Sequence, residues 1–228
     1  MISKLSLRFC RWLSLLGACA SLLSGISYSQ EPARAVEVGR SEVILKSPLY
    51  EARFDLEHGM LARLECTITA EDIQSEDVGD PTRAWWTPKA LKEKCLSNND
   101  YLHSGYDRGH VRAMLWSNGR ENWPDVNCMP VIVPQWPEVN RGTIKNLEQH
   151  IADLAVEHGS VFVRVDCLFT AEEPKLLKGK RVPDAFRYLV IPGAGSLAAM
   201  KQEIYSIPNS PTVKSDFKAY RVDLDDGG

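Results

Sequence analysis

The sequence predicts an α+β domain, strands joined by a few helices rather than a regular alternation of the two, and three observations carry this. Leu49 to Leu56 alternates in the manner of a strand, Glu57-His58-Gly59 has turn chemistry, and Leu61 to Thr69 reads as the returning strand of a hairpin. Ile144, Leu147, Ile151 and Leu154 recur every three or four residues between Asn140 and Gly159, which predicts a helix over 140–158 with a glycine C-cap. Val161 to Val165 and Tyr188 to Ile191 are short apolar runs that read as buried strands.

The remaining segments follow in chain order. Lys4, Arg8 and Arg11 form a basic region, Trp12 to Leu23 an apolar one, and Ser27-Tyr28-Ser29 a small-residue cleavage site, so residues 1–29 are expected to be a signal peptide and the protein exported, to the periplasm or beyond. The apolar run is short and interrupted, so no stable membrane span is expected. Leu16-Gly17-Ala18-Cys19 also fits a lipobox, which makes a lipoprotein anchored through Cys19 the alternative. Residues 30–46 are polar, lack sustained periodicity and are expected to be a linker, leaving 47–228 as one domain with room for a sizeable core. Within it, Glu71 to Tyr101 is expected to be irregular apart from a short helix near Pro88 to Lys94, and His58 a solvated turn residue.

The formal charge is −3 over 228 residues. Removing Lys4, Arg8 and Arg11 with the leader leaves 24 basic residues against 30 acidic ones, or −6. A chain this acidic is not built to coat nucleic acid, because sequence-independent affinity comes from neutralising phosphates. An enzyme with a locally positive cleft is compatible with it. Cys66, Cys95, Cys128 and Cys167 lie outside the leader, an even number in an exported chain, so at least one disulfide is expected, with the pairing open.

One set of residues carries chemistry. Asp107-Arg108-Gly109-His110 is followed by Pro134-Gln135, then Asn140-Arg141-Gly142, then Glu148. A histidine that can take a proton near neutral pH, an amide oxygen suited to a hard cation, and arginines that bind phosphate oxygens are the parts needed to hydrolyse a phosphodiester. Taken singly, each has a plainer reading: His110 as a packed or surface histidine, Asn140 as a helix N-cap, Glu148 as an exposed helix carboxylate. Trp85, Trp86, Trp116, Trp123 and Trp136 are either stacking faces for bases or packing residues. His103, His150 and His158 read as ordinary polar positions.

The ordered set resembles the DNA/RNA non-specific endonucleases of the ββα-metal (His-Me finger) group. The resemblance extends upstream to Arg83-Ala84-Trp85-Trp86 and downstream to Val182-Pro183-Asp184-Ala185-Phe186-Arg187, and it covers roughly Pro48 to Val222. It implies a ββα-metal nuclease fold, with a mixed or antiparallel sheet and flanking helices, and a metal-dependent hydrolase of DNA and RNA. His110 would be the general base, Asn140 the ligand of one Mg²⁺ (Mn²⁺ and Ca²⁺ being alternatives), and Glu148 the group that positions water at the metal. Arg108 and Arg83 would hold phosphate, Arg141 and Gln135 would touch substrate, Asp107 would brace the loop by hydrogen bonds, and Gly109 would let the backbone turn tightly beside the site. DNA and RNA are the expected partners, with an inhibitor protein as a further one.

The chain departs from the family's pattern in two places besides Ile144, which stands where the family's helix has tryptophan and is only a packing change. Where the family has Ser-Asn before its Pro-Gln segment, this chain has Pro130-Val131, and Asn127, four residues earlier, is the candidate replacement. The family's closing helix has no counterpart before Asp225-Asp226-Gly227-Gly228. The first departure leaves a rival reading: a catalytically degenerate, nuclease-like protein that binds nucleic acid.

Overall fold

Alternation of small apolar and polar side chains builds most of this molecule. The computed structural model describes residues 41–76, 84–120, 122–193 and 201–223, and the backbone of 34–37. All belong to one unit, Glu31–Gly228. The expected leader, Cys19, Arg83 and the last five residues lie outside the described residues.

The strands are β1 (Arg34–Glu37), β2 (Glu42–Ser47), β3 (Tyr50–Asp55), β4 (Met60–Thr69), β5 (Asp107–His110), β6 (Ile132–Gln135) and β7 (Ser160–Leu168). They continue as β8 (Leu176–Leu177), β9 (Lys180–Arg181), β10 (Ala185–Pro192) and β11 (Glu203–Pro208). The helices are α1 (Ala70–Gln74) and α2 (Lys145–His158). One seven-stranded sheet runs in the order β1-β2-β3-β4-β7-β10-β11, with antiparallel pairing throughout. β5 and β6 make a separate two-stranded ribbon, as do β8 and β9.

The central strands β7 and β10 bury one face. Val161, Val163, Val165 and Cys167 point inward from β7, and Phe186, Tyr188 and Val190 from β10. Leu147, Ile151, Ala152 and Ala155 of α2 are buried in the same core. Full burial of each Val- or Leu-sized side chain contributes roughly 1.5–3 kcal/mol, which is what fixes the register of these strands. The hairpin expected over 49–69 is present as β3 and β4, with the turn at 56–59.

Three expectations are corrected. The presumed linker 30–46 contains two strands of the main sheet. β2 pairs with β3 from Glu42↔Asp55 to Ser47↔Tyr50, and its alternation buries Val43 and Leu45. Second, the irregular stretch after Glu71 opens with a short helix. Thr69 and Asp72 form a capping box in which each side chain accepts from the other's backbone N–H. Third, Cys66, Cys95, Cys128 and Cys167 are all buried free thiols. They sit in the core as small apolar residues, and burial pushes their pKa values up, that of Cys95 to about 11.

His58 is also more than a solvated turn residue. Its ring stacks on Phe169 with centroids 4.4 Å apart, and its Nδ1 pairs with Asp55, which ties the β3–β4 turn to the loop after β7. Among the described residues, no helix is long and apolar enough to cross a membrane.

Candidate active site

β5, β6 and the helix that follows are consecutive along the chain and carry most of the expected site. β5 and β6 pair antiparallel, Asp107↔Gln135 at one end and His110↔Ile132 at the other. The helix then opens at residue 137, passes through a π-turn at Val139–Ile144 and continues as α2. Asn140 therefore lies inside the first turn, its N–H donating to the Trp136 carbonyl at 2.9 Å, and is not the N-cap. On an ideal α-helix Asn140 and Glu148, eight residues apart, would sit about 80° apart. A π-turn absorbs one extra residue, so the pair is spaced as about seven α-helical residues, roughly 20° from alignment.

Asp107 joins the strand to the helix. Its Oδ2 accepts from Asn140 Nδ2 at 3.0 Å and from Arg141 Nε at 2.8 Å, and its Oδ1 accepts from Arg141 Nη2 at 2.7 Å. Burial would raise the Asp107 carboxyl, but the bonds from Arg141 and Asn140 outweigh it and hold its pKa below the ordinary carboxylate value. With the amide nitrogen of Asn140 engaged, its oxygen is the end left to serve as a ligand. A single neutral oxygen of this kind fits Mg²⁺, which takes few protein ligands and keeps most of its waters. Arg141 is 70% exposed, and its Nε and Nη2 both bond Asp107, so the structure gives it a bracing part beside the substrate contact expected of it, with the other guanidinium hydrogens turned to solvent.

At the other end of β5, His110 Nε2 lies 3.0 Å from Asn127 Oδ1. An amide oxygen can only accept, so Nε2 carries the hydrogen and the ring's basic lone pair is on Nδ1. Asn127 is buried beside Val126 and Cys128, and its carbonyl accepts from Trp86 N–H at 3.4 Å. Val131, where the family carries an amide, is itself buried, and the amide beside His110 is that of Asn127, four residues earlier.

Trp85 adjoins both His110 and Arg108. Its ring centroid is 5.5 Å from that of His110, and the Arg108 guanidinium carbon lies 5.8 Å from it and 5.6 Å from the Tyr101 ring. Arg108 Nη2 donates to the Asn98 carbonyl at 3.0 Å, while its buried Nε has no hydrogen-bond partner among the described residues. The guanidinium is therefore held in place, with donor capacity to spare for an anion.

Glu148 is half-buried in the first turn of α2 rather than exposed. Burial pushes its carboxyl up to about 8, with Lys145 acting weakly in the opposite direction. Its backbone carbonyl accepts from the indole of buried Trp116 at 3.1 Å, which pins this turn to the core.

Gln135 cannot touch substrate in this structure. It is 0% exposed, and its side chain lies directly over Gly109. A Cβ at Gly109 would fall 2.2 Å from Gln135 Cδ, so the glycine serves this close approach rather than the tight turn expected of it. Sequence reasoning also passed over Tyr101 and Asn98, which position Arg108 from a loop that carries no motif.

Ribbon, helix and histidine strand together define a ββα-metal nuclease scaffold. The chain belongs to the DNA/RNA non-specific endonuclease family, whose sequence model matches residues 31–227. It is similar to a nuclease from Nostoc sp., 32% identical over 138 residues, which make up 55% of this chain and 48% of that protein. It is likewise similar to human mitochondrial Endonuclease G, 30% identical over 130 residues, 50% of this chain and 42% of that protein. The chain thus spans less than half the length of these relatives. Its fold matches a chain in the crystal structure of the EndoG/EndoGI complex, with a TM-score of 0.70 at 20% identity over 80% of each chain.

Proposed function

We propose that this protein is an exported, metal-dependent endonuclease that hydrolyses phosphodiester bonds of DNA and RNA with little sequence preference. The observation that carries the reading is the paired fixing of His110 by Asn127 and of Asn140 by Asp107. His110 Nδ1 takes the proton of the attacking water, and Asn127 holds the ring in the tautomer that can do so. Arg108 binds a non-bridging phosphate oxygen with the guanidinium that Trp85 and Tyr101 keep in place. Asn140 would hold Mg²⁺ through its side-chain oxygen, and Glu148 lies on the same side of the helix. When bound, the ion supplies charge stabilisation for the phosphate and the leaving oxygen. The residues described at the site are suited to phosphate and metal rather than to base edges, which supports low specificity.

Export rests on the leader's composition, and an inhibitor protein is the further partner we propose, by likeness to the EndoG/EndoGI complex. The degenerate reading loses its main support, because the amide absent at Val131 is present at Asn127. The test is cleavage of plasmid, single-stranded DNA and RNA with and without Mg²⁺, by wild type and His110→Ala. Mg²⁺-dependent cleavage by the wild type that His110→Ala lacks supports the reading. A wild type inert on every substrate and metal overturns it in favour of the binding protein.

A further inference from the structure

The next cross-strand pair outward from Asp107↔Gln135 is Tyr106 with Trp136, whose ring centroids are 4.9 Å apart. The backbone at Trp136 is rigid. Its N–H donates to Asn209 Oδ1 at 3.0 Å, and its carbonyl accepts from Asn140 N–H. Buried Asn209 in turn donates to the carbonyls of Pro134 and Pro183, both at 2.9 Å. The ring is held differently. Trp86 and Trp116 donate their indole N–H groups to the carbonyls of Pro124 and Glu148, but Trp136 Nε1 has no acceptor among the described residues. What lies over its face is the Lys175 ammonium, 5.9 Å from the centroid. Lys175 is exposed, and its carbonyl accepts from Val182 N–H at 2.9 Å, which sets it at the base of the β8–β9 ribbon.

An aromatic pair on a fixed backbone, one residue beyond the site strands, partly buried against the core and with a solvated lysine over the indole face, is an arrangement that a nucleotide can enter. A cation–π contact with an exposed lysine is weak, so a base can take its place on the ring. Base–aromatic stacking tolerates any sequence, because every base has a π-face. Glu172 and Glu173 precede Lys175 in the same loop, so its contribution is a local contact rather than a long-range field.

We propose that Trp136, Tyr106 and Lys175 form a nucleotide subsite flanking the scissile position, in which Trp136 stacks on a base and Lys175 moves from the indole to the adjoining phosphate. The proposal rests on the nuclease reading for its ligand, a single-stranded stretch of nucleic acid. It deepens that reading by explaining how a site without base-edge contacts grips its substrate.

The test is binding rather than turnover, in the full-length His110→Ala protein with Mg²⁺. The probes are a short fluorescein-labelled single-stranded oligodeoxynucleotide and its abasic counterpart, followed by anisotropy. Adding Trp136→Ala is expected to weaken binding of the base-bearing probe about tenfold. Binding of the abasic probe should stay unchanged, and Trp136→Phe should recover most of the loss. Adding Lys175→Ala is expected to weaken both probes and to lower the slope of log affinity against log salt by about 0.7. Equal losses on both probes with Trp136→Ala, an unaltered salt slope with Lys175→Ala, or no binding of either probe overturns the subsite. Failure of the nuclease reading looks different: the wild type cleaves nothing, while the base-dependent loss at Trp136 persists.

Discussion

The Asp107 carboxylate accepts the Asn140 amide N–H at 3.0 Å and so decides which end of that amide is turned away from the strand. The same carboxylate takes two donors from Arg141, which leaves it little freedom to rotate. Asp107→Ala should therefore leave the protein folded but raise the Mg²⁺ concentration for half-maximal cleavage by about tenfold to a hundredfold, the usual effect of losing a group that orients a ligand. Mg²⁺ titrations of plasmid cleavage, with circular dichroism as a fold check, measure it. An unchanged requirement would show that Asn140 needs no such brace.

His110→Ala should lower the rate by about 10²–10⁴-fold, as for loss of a general base. Asn127→Ala should lower kcat less, about tenfold, with KM nearly unchanged, because it acts only by holding the ring. Steady-state kinetics on single-stranded DNA separate the two. Equal rates for Asn127→Ala and wild type would show that the ring keeps its orientation without that bond.

Gly109→Ala should destabilise the protein by about 1–3 kcal/mol, since its methyl would overlap the buried Gln135 side chain. Gln135→Ala in the same chain should restore part of that loss, with a coupling of roughly 0.5–3 kcal/mol. Urea midpoints of the four proteins give the cycle, and strictly additive effects would contradict the contact.

Asp72 is buried, and burial alone would raise its pKa, but bonds from Arg120 and Thr69 overcome this and hold it below the ordinary value. A carboxylate with a lowered folded pKa contributes stability that is fully present above the unfolded value, near 4, and is lost as pH falls through the folded one. Arg120→Ala should cost about 1–3 kcal/mol at pH 7, because it removes a partner from a buried acceptor. The difference from wild type should shrink below pH 4 in urea titrations. A pH-independent difference would mean that packing, not charge, is what Arg120 supplies.

Thiol titration of unfolded, unreduced protein spanning residues 30–228 should find four free thiols, those of Cys66, Cys95, Cys128 and Cys167. Two or none would restore the disulfide expected from their even number.

The parts of this site that sequence revealed are those with fixed local spacing. The Asp107–His110 strand, the helix bearing Asn140 and Glu148, and the β3–β4 hairpin all announce themselves within a short window of residues. What it concealed depends on contacts across the chain. Gln135 stands in a site motif but is sealed beneath Gly109, which a motif cannot show. The partners of Arg108, Tyr101 and Asn98, come from a loop with no periodicity. The pairing of Arg141 with Asp107 spans 34 residues, which no motif shows. The strand at Glu42–Ser47 was legible in its alternation, yet it was masked by the polar run before it. The phase of the helix could not be read at all, because a π-turn leaves no residue signature.

That π-turn makes the spacing of Asn140 and Glu148 a matter of residue count more than of residue type. Substitutions between them alter packing but keep the two groups in phase. Loss of one codon between Asn140 and Lys145 would let the segment relax to a regular α-helix whose seven-residue spacing keeps Asn140 and Glu148 within roughly 20° of alignment, whereas one codon gained in the regular helix would rotate Asn140 by roughly 100° relative to Glu148. The site is thus tolerant of point changes and of one deletion along this stretch but brittle to insertion, and lineages that keep the activity should vary in composition here and be free to lose the π-turn's extra residue without gaining another.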